Sequence, residues 1–149
     1  MAGLVLGYLG VAGIPVILII AAIAIPNLLH ARNAANEASA AGMVRILATA
    51  EVSYSSAHPE AGYTCTLSEL ASTGLIDERM ASGQRYGYSF ELLGCSAAAE
   101  GANGHFRVVA YPLKPNTTGT RAFCTDESGV VKVDEKGSPQ DCMSSGSIL

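Results

Sequence analysis

The chain has 149 residues, a formal net charge of −4 and 49% hydrophobic residues. That length allows one domain of ordinary size, and the acidic balance leaves no basic footprint for nucleic acid. The apolar excess is concentrated in residues 4–25, LVLGYLGVAGIPVILIIAAIAI, which carry no charge and one mildly polar side chain, Tyr8.

As a helix, those residues span roughly 33 Å, matching the ~30 Å hydrocarbon core of a bilayer. The run is longer than the core of a signal peptide, about 7 to 15 residues, and no small-residue cleavage site is evident, so it reads as a retained anchor. Gly3, Gly7, Gly10 and Gly13 recur every three or four residues, the spacing that lets a second apolar helix approach closely. Pro15 and Pro26 bracket VILIIAAIAI, and each removes a backbone donor and crowds the preceding turn. Freed carbonyls in lipid need partners, so Gly7, Gly10, Gly13, Pro15 and Pro26 together point to a helix built to pack on copies of itself and to bend.

Beyond Pro26 the pattern changes. Met43, Ile46, Leu47, Ala50 and Tyr54 form an apolar stripe at helical spacing. Residues 31–42 are mostly Ala with Asn, Ser and Gly42, a stretch of high helix propensity and little bulk that suits close packing against other helices. Pro59 ends the helix in AHPEAG. Thr66 and Glu69 stand as a capping box before LSELAST, which Gly74 stops. After the loop DERMASGQR, Tyr86, Tyr88, Phe90 and Leu92 alternate on one face of a half-buried strand. HFRVVAY is a second strand with Phe106, Val108 and Ala110 on one face, and RAFCTD and VVKVDE follow as a third and fourth. The segment 136–149 has no periodicity and is expected to lie along the sheet, held by Cys142. The fold class is therefore α+β: a long N-terminal helix, apolar then amphipathic, packed on a small antiparallel meander of three or four strands.

All four cysteines, Cys65, Cys95, Cys124 and Cys142, follow the apolar segment, with no C-x-x-C pair and no zinc-site spacing to a histidine. An even number behind a membrane helix suggests disulfides made in an oxidising compartment. Three pairings are open to four cysteines, and the local one, Cys65–Cys95 with Cys124–Cys142, is favoured. The flanking charges point the other way: Arg32 and Arg45 follow the segment, and cationic residues favour the cytoplasmic side. A basic leader removed from upstream would reconcile the two.

Residues 17–56, ILIIAAIAIPNLLHARNAANEASAAGMVRILATAEVSYSS, resemble the N-terminal helix of type IV pilins and of the major pseudopilins of type II secretion. AAIAIPNLL carries most of the likeness; GYSFEL, TTGTRAFCTD and SGVVKV are similar to the compact heads of bacterial pilins. The resemblance implies a precursor in the inner membrane, trimmed by a peptidase and passed by a pilus assembly machinery into a helical homo-oligomeric filament on the cell surface. It divides the chain into a transmembrane or filament-core half-helix (1–26), an amphipathic half-helix (27–56) and a disulfide-bearing α/β head (57–149). It also implies a disulfide near the C-terminus, a role that Cys124 and Cys142 suit, and helix lost between Pro15 and Pro26 in the assembled state. One departure stands out: the family's early glutamate is replaced by Leu9, and the first acidic residue is Glu37, so the pairing of that glutamate with a neighbour's amino terminus is absent.

No catalytic motif is present: no G-x-S-x-G, P-loop or H-E-x-x-H. His30, His58 and His105 are isolated in sequence. Asp126, Glu127, Asp134, Glu135 and Asp141 read as a solvated acidic face rather than a calcium loop. The sequon Asn116-Thr117-Thr118 lacks a preceding acidic residue. Neither enzymatic activity nor a cofactor is expected; the partners are further copies of the chain, the membrane and an assembly machinery, with a major pseudopilin or a membrane-anchored binding domain as the alternatives.

Overall fold

The structure is a computed structural model that describes residues 2–64, 66–94 and 103–149, with side chains from Ile17 onward. The elements run α1 (Ala2–Ala57), α2 (Leu67–Ser72), a 3-10 turn (Glu78–Met80), β1 (Gln84–Arg85), β2 (Tyr88–Leu93), β3 (Arg107–Pro112), β4 (Ala122–Asp126), β5 (Lys132–Asp134), α3 (Pro139–Ser145) and β6 (Ser147–Ile148). Residues 1–32 and 33–149 form two compact units, with α1 contributing to both. In this single chain α1 passes through Pro15 and Pro26 as helix. The loss of helix expected between them concerns the assembled state.

In the unit 33–149, the six strands lie in sequence order, every neighbouring pair antiparallel. One row of side chains, Phe90, Ala110, Phe123 and Val133, crosses four strands on the face turned to α1. All four are buried, together with Ala40, Val44, Leu47 and Tyr54 of α1 and Leu67 and Leu70 of α2. The opposite face carries a smaller core of Val109, Ala122, Cys124 and Cys142, covered by α3 with Met143. The sheet is thus sandwiched, with α1 and α2 on one side and α3 on the other.

Three sequence expectations need correction. The helical stripe is rotated: Leu47, Ala50 and Tyr54 are buried and Met43 partly so, but Ile46 is 52% exposed, while Val44 and even Glu51 point inward. Bulk was a poor guide because a backbone N–H, from Thr64, gives Glu51 a partner inside. In the stretch 31–42, Glu37, Ala40 and Ala41 are buried within the unit that contains the head, while Ala31, Ala34, Ala35 and Ala38 are exposed. Tyr86 belongs to a turn, not to the strand. With Gly87 it forms the two-residue link between β1 and β2, both residues at positive φ (52° and 74°), as the tight hairpin twist demands. The tail is not irregular either. Ser138 accepts from the Asp141 N–H as a cap, Pro139 opens the first turn, and α3 forms; its single buried residue, Cys142, left no periodicity to read.

The short helix α2 starts where expected. The Thr66 hydroxyl accepts from the Glu69 N–H at 3.2 Å. The box is not reciprocal, because the Glu69 carboxylate accepts from the Tyr54 hydroxyl at 2.6 Å and so ties α2 to α1. Gly74, at φ 75°, follows the last turn.

Candidate functional site

Two features stand out: the exposed surface of α1 and the way the head grips its second half. From Ile17 to Arg32 every side chain is exposed in the single chain except half-buried Ala21. Ile17, Ile20 and Leu28 are 67%, 60% and 70% exposed, and no charge intervenes before Arg32. Ile17–Ala57 contains a stretch long and apolar enough to cross a membrane, judged by length and composition. Pro26 lies on this exposed surface. Gly7, Gly10, Gly13 and Pro15 lie in the helical backbone of α1, ahead of the described side chains.

The head grips the second half of α1 through a polar clasp that the sequence did not reveal. Glu37 is buried and faces the β3–β4 loop. Thr120 donates its N–H at 2.8 Å and its hydroxyl at 2.9 Å to Glu37 Oε1. Arg121 donates through Nε and Nη2, each 2.8 Å from Oε2. Burial alone would raise the Glu37 carboxyl, but the Thr120 and Arg121 hydrogen bonds outweigh it and hold the group below the usual carboxylate range. Next to Glu37, Asn36 donates to Thr118 O at 2.9 Å, and one turn earlier Asn33 donates to Asn116 O at 3.4 Å. Tyr88 closes the clasp from the sheet by donating to Arg121 O at 2.9 Å. Gly119 makes room for that phenol: a Cβ there would sit 2.1 Å from Tyr88 Oη. A lone Glu in an alanine-rich helix was the available signal, and a strand-end Arg the matching one. Their separation of 84 residues hid the pairing.

Farther along α1, Glu51 is fully buried. It accepts from Thr64 N at 3.0 Å, but Oε1 has no hydrogen-bond partner. Burial pushes its pKa up to about 7; the Thr64 bond opposes this and the Glu69 charge adds to it. Tyr54 stacks on His58, whose Nδ1 lies 3.1 Å from Tyr54 O, at the end of the helix.

Cys124 and Cys142 are disulfide-bonded, joining β4 to α3 across the outer face of the sheet. The expected Cys65–Cys95 pair lies outside the described residues. The acidic residues of the C-terminal third serve local ends. Asp126 accepts from Ser128, Asp134 accepts from the N–H groups of Lys136 and Ser138, and Glu127 pairs with His105. Among the described residues no group of three or more His, Cys, Asp or Glu could hold a metal ion. Asn116, at φ 63°, lies exposed in the β3–β4 loop. The outer face carries an open groove of about 600 Å³ lined by Glu91, Leu93, Arg107, Asp126, Pro139 and Met143, among others. No family model, curated protein or solved structure matches the chain.

Proposed function

We propose that this chain is a structural subunit of a type IV pilus-like filament, held in the inner membrane before assembly and then polymerised through its apolar N-terminal helix. The observation that carries the reading is the Ile17–Leu29 surface, bulky, uncharged and exposed, on a helix whose continuation from Glu37 to Tyr54 is packed against the chain's own head. Such a surface needs lipid or other helices around it, because water contact costs about 25 cal/mol for each Å² of apolar area. Copies of α1 exchanging lipid for one another would meet that need without covalent chemistry, leaving the heads outside.

Electron microscopy of surface fibres sheared from cells, with mass identification of the subunit, tests this. Long fibres containing the chain are expected. Their absence, combined with a secretion defect on deletion, assigns the helix instead to a short pseudopilus. Stoichiometric binding of a small molecule in the groove beside α3, by a chain that forms no fibres, favours the membrane-anchored binding domain. Within fibres, helix is expected to be missing between Pro15 and Pro26; continuous helix through both in a fibre reconstruction rejects that part.

A further inference from the structure

The geometry points to a second membrane contact: the end of the head formed by the β1–β2 turn and the β3–β4 loop rests on the lipid headgroups through Tyr86, Leu113 and Lys114. This rests on the reading of α1 as a membrane-crossing helix, and not on filament assembly. Tyr86 and Leu113 are 44% and 43% exposed, large apolar groups beside a cation on an otherwise polar rim. They are neighbours, since the Leu113 N–H donates to Gly87 O at 2.9 Å. Lys114, Pro115, Asn116 and Thr117 are exposed next to them, and Lys114 has no acidic side-chain partner among the described residues.

Tyr86 is the informative residue. A two-residue turn with both φ angles positive favours Asn, Asp or Gly at its first position, and a bulky aromatic is an outlier there. Its ring is nonetheless held outward, with the Arg85 guanidinium 5.1 Å from its centroid. Arg85 is in turn fixed by Asp77 at 3.1 Å. The Arg85 contact offsets part of the strain but leaves the ring 44% exposed. A membrane–water interface accounts for that exposure, because an amphipathic ring settles at headgroup level.

The covalent chain limits how far this patch lies from the membrane helix. Asn33 and Asn36 hold the loop through the carbonyls of Asn116 and Thr118. Gly87 lies against the same place: a Cβ on it would meet Thr118 Cβ at 2.7 Å and Asn36 Nδ2 at 3.3 Å. Asn33 follows Leu29 by four residues, so the two stand within about 14 Å however the chain between them is arranged. Leu28 and Leu29 are the last bulky apolar residues of the membrane helix. That short tether lets the patch reach the headgroup layer, where Lys114 meets lipid phosphates and Tyr86 and Leu113 meet the upper acyl chains.

The chain contains no tryptophan, so a single indole can report its own surroundings. Full-length Tyr86→Trp and, as a distant exposed control, His105→Trp are placed in anionic phosphatidylglycerol vesicles with acyl chains brominated near the headgroup. The Tyr86→Trp indole is expected to lose several-fold more emission to the bromines than the control and to resist aqueous iodide better. Adding Lys114→Glu is expected to reverse most of that difference. Equal quenching of the two indoles in protein that co-sediments with the vesicles overturns the contact while leaving the membrane helix intact. Failure of the chain to co-sediment removes the membrane reading itself, and the contact with it.

Discussion

Two buried carboxylates on one helix respond to pH in opposite directions. The pKa of Glu37 is lowered on folding by its Thr120 and Arg121 donors, so its stabilisation is present above the ordinary carboxylate range and lost as pH falls through the lowered value. Glu37→Gln keeps the shape and removes the charge. It should cost about 1–2 kcal/mol at neutral pH, the partly exposed Arg121 limiting the ionic share, as read from denaturant midpoints of the detergent-solubilised chain. Glu51 behaves inversely. Its folded pKa is raised to about 7, so its contribution is complete below the ordinary carboxylate pKa and disappears as pH rises through about 7. Glu51→Gln should therefore leave stability at pH ~5 nearly unchanged and raise it at pH ~9, by up to about 3 kcal/mol. Equal effects at the two pH values would contradict this. Neither carboxylate announces its burial in the sequence. A charged residue reads as surface until its partners are known, and those of Glu37 lie in a loop 83 and 84 residues away.

At the scale of the element, α3 depends on one covalent link. Cys142 is its only buried residue, and the disulfide to Cys124 spans 18 positions of the chain. A seven-residue helix is too short to persist on propensity alone. Replacing both cysteines with serine should cost about 3 kcal/mol by the loop-entropy account. Amide exchange should accelerate most across α3 and β6, while the row through Phe90, Ala110 and Phe123 stays protected; uniform acceleration over the sheet would show that α3 holds more than its own place. The elements most legible in the sequence were those with period and caps. β2, β3 and β4 followed from alternation, and α2 from Thr66 and Gly74. β1 and β6 run two residues each, too short to show a period, so the four strands read from the sequence fall two short of the six observed. The apolar run of α1 was legible in the sequence, because twenty-two uncharged residues need no tertiary information to be recognised.

At the scale of the molecule, the apolar run of α1 makes a sharp demand. Ile17 lies near its middle and is 67% exposed in the single chain. Ile17→Lys should cost about 2.5–3.5 kcal/mol of membrane insertion. It should shift the chain into the soluble fraction on alkaline extraction; a variant retained as well as the parent would mean that the helix does not cross. The sheet of the head is joined in a simpler way. Each strand is bonded to its neighbour in sequence, so the sheet can zip from hairpin to hairpin with no crossover and no strand waiting on a distant one. The clasp differs, joining residues 82 to 84 apart, a long closure expected to form after the hairpins. Hairpins that pair locally and a helix that packs on them from far along the chain give the topology an order of closure. Whatever pulls on the apolar half of α1 is resisted first by the clasp at Glu37, while the sheet behind it is already complete.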